Sequence, residues 1–224
     1  MTYYYEEMID TVSELSKSPP PVFFSSIPID MPLKMIMMRL GYRPTSTVLT
    51  STQREKTDRT ITDAFSFCRP RGCWRRIGIA VKRNDRTILQ DGSVLESVSL
   101  AALLRESDAV ALMASTVGAQ VVEAASEAMN RGEGATATIY DAVGGQSADA
   151  AMNWINNFIR TQVSRHAERL TKQRFSPGYG DLGLENQKVI HSLLDLGRLG
   201  ITLSSRFMLI PEKSVTAIAG IENG

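Results

Sequence analysis

The sequence predicts an α+β fold: one central, mainly antiparallel sheet with flanking helices. Strand patterns are few, the hairpins set them antiparallel, and helical patterns separate them. No internal repeat or low-complexity segment interrupts this order. Hydrophobic residues make up 43% of the 224, enough for a sizeable core in one large domain or two small ones. The simplest partition is an N-terminal arm over 1–29 and a single domain over 30–224.

Within the arm, Tyr3 to Leu15 has the pattern of a short helix, stopped by Pro19-Pro20-Pro21, which stiffens the link. Val22-Phe23-Phe24 reads as extended. A helix is predicted over Met31 to Gly41, with Pro32 in its first turn and Gly41 as its cap. Its methionines Met35, Met37 and Met38 suit irregular core space or, as the sharper alternative, an exposed packing surface. A further helix is expected from about Gln53 to Phe67, broken by Pro70-Arg71-Gly72. Trp74 to Val81 then alternates as a strand, with Ile77, Ile79 and Val81 on one face. Thr87 to Gln90 returns after the Asn84-Asp85 turn, and Ser99 to Glu106 forms a short helix.

The apolar run inside Asp108 to Thr116 predicts a buried strand. A helix follows, with Val121, Val122, Ala125, Ala128 and Met129 at helical spacing. Ala135 to Val143 and Ser147 to about Thr171 give two further helical halves. Gly144-Gly145 between them marks a kink or a close approach, since each glycine costs about 1 kcal/mol inside a helix. Near the C-terminus, Glu185 to Leu196 is helical and Ile201 to Ile210 reads as a strand. Pro211-Glu212-Lys213 turns the chain, and Ser214 to Ile221 returns with Val215, Ala217, Ala219 and Ile221 on one side.

Composition excludes several function classes. The formal net charge is +1, from 25 Lys and Arg against 24 Asp and Glu without a long single-sign run. That gives no footprint for nucleic acid or an anionic membrane. No apolar run approaches the roughly 20 residues of a membrane span. Met1 to Glu7 lacks the basic start and apolar core of a signal peptide, so a cytoplasmic protein is expected. Cys68 and Cys73 form no CxxC pair, and His166 and His191 have no metal-ligand spacing. Free thiols and solvated histidines are expected, with no metal site and no catalytic cluster. Arg69, Arg71, Arg75 and Arg76 form the most basic cluster. It fits a solvated face, or a surface for an acidic partner or a phosphate.

One stretch combines several binding features: Arg174-Phe175-Ser176-Pro177-Gly178-Tyr179-Gly180-Asp181. Pro177 fixes φ and Gly178 permits φ > 0, so Pro-Gly reads as a tight turn. Arg174 carries a planar, permanently charged fork suited to a carboxylate. Tyr179 adds a flat face with a hydroxyl. The segment is either an ordinary surface turn or a grip for an amino-acid-like ligand. A Rossmann-type nucleotide loop is excluded at Gly144-Gly145, because the glycines follow a helical pattern and not a strand.

Arg-x-x-Pro-Gly-Tyr, followed by an amphipathic helix and then by Gly200-Ile201-Thr202-Leu203, Met208-Leu209-Ile210-Pro211 and Lys213 to Ile218, resembles the activation domain of cobalamin-dependent methionine synthase. The short, free-standing members are the most similar. Leu40-Gly41-Tyr42-Arg43 also resembles that family, and the likeness runs from about Asp30 to Ile221. The resemblance implies that family's unusual α+β fold with an extended S-adenosylmethionine trough. It assigns the ligand site to Arg174, Ser176, Pro177, Gly178 and Tyr179. Asp149 stands where family members carry an acid, usually Glu, that contacts the ligand. An N-terminal Asp that touches the ligand in the large synthases has two candidates here, Asp10 and Asp30. The synthases also add a C-terminal Tyr segment that this sequence lacks, so that half of the site is expected to be open or supplied by a partner.

The activity so implied is reductive methylation of cob(II)alamin to methylcobalamin, with S-adenosylmethionine as methyl donor. The cobalamin is carried by a partner: the corrinoid-binding modules of methionine synthase or another corrinoid protein. A flavodoxin- or ferredoxin-type protein supplies the electron. This would place the chain in methionine biosynthesis as a methyltransferase component that needs no acid, base or nucleophile of its own. The alternative is a non-catalytic module that docks on a corrinoid protein and regulates it.

Overall fold

The computed structural model describes residues 18–43 and 46–224, and the helix expected over Tyr3 to Leu15 lies outside them. The architecture is α+β, with a central antiparallel sheet flanked by helices. Strand β5 (Ser107–Thr116) is its middle. Its apolar run lets it stay dry on both faces, and Ala109 through Ala114 are all buried. One edge of β5 pairs with β2 (Arg71–Lys82), from Arg71↔Thr116 to Gly78↔Ala109. The other edge pairs with β9 (Ser214–Asn223).

The sheet continues from β2 through β3 (Arg86–Leu89) to β4 (Val94–Glu96), and from β9 to β6 (Glu168–Leu170). The order is β4-β3-β2-β5-β9-β6, every pairing antiparallel. β1 (Val22–Phe24) pairs with the start of β2, so residues 22–24 belong to the sheet.

Strand alternation sorts the side chains into two cores. Ala109, Ala111 and Met113 of β5 and Ala217, Ala219 and Ile221 of β9 face the long helix α5 (Gly134–Ser164), which brings Ala151, Met152, Ile155 and Ile159. The expected alternation of Val215, Ala217, Ala219 and Ile221 is this face. The small alanines let the helix approach closely. Val110, Leu112, Ala114 and Ile218 face the other way, towards α3 (Val98–Leu103) and α6 (Gln187–Leu194). The remaining helices, α1 (Leu33–Arg39), α2 (Ser51–Ser66) and α4 (Gln120–Asn130), bury a third cluster against the first half of α5. A Thr50–Gln53 capping box starts α2, two residues before the expected helix.

Several expectations are corrected. Ile201 to Ile210 is not one strand. Only Thr202–Leu203 (β7) and Leu209–Ile210 (β8) are extended, and they pair with each other. The chain reverses between them, because Ser204 Oγ accepts from the Arg206 and Met208 amides and Phe207 takes φ 62°. β9 therefore pairs with β5 and β6, and not with 201–210. The second helical half ends at Ser164 rather than near Thr171. Ala167 turns the chain at φ 56°, and Glu168–Leu170 joins the sheet edge.

Gly144-Gly145 does not break α5; it is a place of close approach. A Cβ on Gly144 would meet Lys213 at 3.0 Å and Val121 at 3.1 Å, and one on Gly145 would lie 3.7 Å from the Arg39 guanidinium carbon. The four arginines do not form one patch. Arg76 pairs bidentately with Glu168, Arg75 donates to the Pro19, Ser18 and Leu193 carbonyls, and Arg69 donates to the Ser66 and Cys68 carbonyls. Both cysteines are free and buried, and burial pushes the Cys73 thiol up to about 12. His166 is exposed, but His191 is not fully solvated: its Nε2 lies 2.8 Å from the Ile201 carbonyl.

Close packing of α5 on the sheet is tested at Gly72, where an added Cβ would lie 2.4 Å from the Ala114 carbonyl oxygen and 2.5 Å from Ile155 Cδ1. Gly72→Ala is expected to cost about 1–3 kcal/mol through overpacking, read as a lower urea midpoint at unchanged slope.

Candidate functional site

The site begins where β9 loses its outer neighbour. β6 pairs with the end of β9 as far as Leu170↔Ile221, and Thr171 N–H donates to the Gly220 carbonyl. Lys172, Gln173 and Arg174 then leave the sheet. Phe175 returns for one bridge, exchanging both backbone hydrogen bonds with Ile218 at 2.8 and 2.7 Å. After Phe175 the edge of β9 is open. Since alternate residues of a strand turn their backbone groups to the same edge, the N–H and C=O of Thr216 point into that opening.

The opening is a trough of about 1070 Å³. Arg174, Ser176, Pro177 and Tyr179 line it from one side, Asp149 of α5 from another, and Phe207 to Ile210 of the β7–β8 hairpin close it. Five of the six residues singled out in the sequence therefore meet in one place. Gly178 does not line the trough. It takes φ 92° behind Pro177, and Tyr179 N–H donates to the Ser176 carbonyl at 3.2 Å, which makes Pro177-Gly178 the centre of a type II turn. A Cβ there would sit 2.9 Å from Leu184 Cδ2. Asp30 is exposed and not part of the lining, and Asp10 lies outside the described residues.

Electrostatics distinguishes the two charged walls. The trough walls desolvate the Asp149 carboxyl and raise it above the ordinary carboxylate range, against the opposing pull of Arg174 and Arg39. Arg174 is half-buried; desolvation lowers its guanidinium's affinity for its proton, and Asp149 opposes this. The two attract each other, yet Arg174 forms no hydrogen bond or ion pair with any described residue. Beside them, Lys213 pairs with Asp141, which also meets Arg39 at 3.5 Å.

The turn is fixed from behind by Asp181. Its carboxylate accepts from Ser97 Oγ at 2.8 Å and from the backbone N–H groups of Val98 and Ser99 at the start of α3. These donors, the Ser97 hydroxyl foremost, hold it down at about 2. No local pattern signals this tie, because Asp181 and Ser97 lie 84 positions apart in the chain. Gln187, Thr216, Phe207 and Lys213 were likewise not singled out as site residues. Among the described residues, no group of His, Cys, Asp and Glu could hold a metal ion, and no helix is long and apolar enough to cross a membrane.

No protein-family model matches the chain, and no curated protein does. Among solved structures, the crystal structure of the MetH reactivation domain bound to AdoHcy superposes with a TM-score of 0.64. The match covers 92% of this chain and 81% of that one at 16% identity. The fold is that of the MetH reactivation domain. The likeness read from the Arg174–Tyr179 segment and the likeness of the folds thus converge on the MetH reactivation domain, although few residues are shared.

Asp181→Asn is expected to lower the melting temperature at neutral pH. A carboxyl held below its ordinary 3.8 contributes its full stabilisation above that value and loses it as pH falls towards about 2. The gap between wild type and variant should therefore close over that interval, followed by thermal melts from pH 7 downwards.

Proposed function

We propose that the trough binds S-adenosylmethionine and that the chain is the reactivation component of a cobalamin-dependent methionine synthase or related corrinoid methyltransferase. One observation carries the reading. A half-buried guanidinium without a partner among the described residues shares an open trough with a desolvated carboxylate. A zwitterionic amino-acid ligand with an additional cationic centre is complementary to that pair. Its carboxylate fits the fork of Arg174, and its ammonium or sulfonium fits Asp149. The volume is ample for a nucleoside joined to an amino acid.

In this reading Arg174 and Asp149 orient the two ends of the amino-acid portion. Ser176 and Pro177 shape the wall, Gly178 sets the turn, and Tyr179, at 71% exposure, covers the ligand from the open side. S-adenosylmethionine would supply its sulfonium methyl to the cobalt of a partner-held cobalamin, the S–CH3 bond breaking to leave S-adenosylhomocysteine, with one electron from a flavodoxin- or ferredoxin-type donor to reduce cob(II)alamin first. The chain contributes placement of the methyl group and stabilisation of the cation. The segment 30–224 is the unit we assign to this role. The likeness to the AdoHcy-bound MetH domain supports the reading at the level of fold.

Calorimetric titration of the purified chain with S-adenosylmethionine is expected to show one saturable site. Arg174→Ala should weaken it by about 10- to 150-fold, the equivalent of a charge-assisted hydrogen bond of roughly 1.5–3 kcal/mol. Asp149 adds a pH signature. Because its carboxyl is raised, protonation begins above the range of an ordinary aspartate, so affinity should fall with decreasing pH earlier than in Asp149→Asn, whose response should be flat there. No heat with the wild type, confirmed by equilibrium dialysis, would refute a self-sufficient site.

A further inference from the structure

Gln187 opens α6 and is only 5% exposed, yet its side chain lines the trough. Thr216, 2% exposed, donates its hydroxyl to Gln187 Oε1 at 2.8 Å. That contact orients the amide: the oxygen is occupied, and Nε2 donates to no other described residue. A donor on the wall of the trough that no described residue accepts from has as its natural complement an acceptor on a bound molecule.

The sheet shows which part of the ligand that is. Thr216 shares its face of β9 with Ile218, whereas Val215 and Ala217 face α5. Asp149 stands on α5, and Arg174 is one residue from Phe175, whose ring packs with the Ile218 core. The trough therefore runs around the open edge of β9, with an ionic pole on the α5 face and a neutral amide on the α6 face. Phe175, Leu184 and Leu209 add apolar side chains to the lining of the same trough, and Phe175 and Leu209 pack on the α6 face of the sheet. A flat, uncharged ring with acceptor nitrogens in its plane fits that end, while a zwitterion fits the other.

We infer that Gln187, oriented by Thr216, reads the heterocyclic base: its Nε2 donates to a ring nitrogen of adenine. The inference rests on the proposed S-adenosylmethionine site and makes Gln187 a specificity determinant within it.

The test uses the whole chain, with S-adenosylhomocysteine and its 1-deaza, 3-deaza and 7-deaza analogues as probes. Each analogue replaces one ring nitrogen by C–H. Wild type is expected to lose about tenfold affinity for one of the three, the scale of one hydrogen bond. Gln187→Met should bind the parent and that analogue equally. Gln187→Glu keeps an acceptor for the Thr216 hydroxyl but turns the donor into an acceptor, and should weaken the parent at least as far. Equal binding of all four ligands by wild type overturns the inference while leaving the S-adenosylmethionine site standing. So does a discrimination that survives in Gln187→Met. Absence of any binding to wild type would refute the underlying site, and the role of Gln187 with it.

Discussion

The double-sided burial of β5 is the constraint on which the rest of the molecule depends. A strand with Val110-Ala111-Leu112-Met113-Ala114 in its middle has no side that tolerates water, so both faces must be covered. Alanines on β5 and β9 make one face flat enough for α5 to lie close. The larger side chains on the other face hold α3 and α6. Once α5 and α6 are fixed on opposite faces, whatever protrudes at the edge of β9 is bounded on both sides. The trough is the space left between two helices fixed by the core and a strand whose outer partner departs early.

That departure is also controlled. Thr171 Oγ donates to the Gln173 carbonyl at 2.8 Å and accepts the Gly220 amide at 3.0 Å, which pins the start of the excursion. The Phe175–Ile218 bridge pins its end. Arg174 lies between these two clamps, so its backbone has little freedom even though its guanidinium has no partner among the described residues. Asp181 extends the control to the Pro177-Gly178 turn by tying it to the start of α3. The loop that carries the site is thereby joined to the sheet at one end and to a helix at the other.

Much of this was legible in the sequence where the signal is local. The apolar run of β5, the alternation in β9 and the turn chemistry of Pro177-Gly178 all depend on residues a few positions apart. The segment Thr50-Ser51-Thr52-Gln53 carries a capping-box signature that places the helix start two residues before Gln53. Residues 201–210 misled because their ends are extended. The reversal between them depends on Ser204 binding two amides and on an unusual φ at Phe207, neither of which follows from hydrophobic alternation. The short edge strands β4 and β6 have too few residues to show a period. Asp149 and Arg174 were named through a family likeness, whereas Gln187 and Thr216 had no signal at all. Their contact across 29 positions exists only because α6 packs beside β9.

The same argument explains why Arg174 and Asp149 attract without pairing. A collapsed ion pair would have to be broken and resolvated before any zwitterion could enter, and much of the binding energy would be consumed in doing so. Here α5 is fixed by its core contacts and the Arg174 backbone by the clamps at Thr171 and Phe175. Desolvation raises the Asp149 carboxyl and lowers the Arg174 guanidinium in its hold on a proton, and each is opposed by the other's charge. Two opposite charges on the wall of one trough, each carried by an element that the core fixes, are complementary to a molecule that carries both signs.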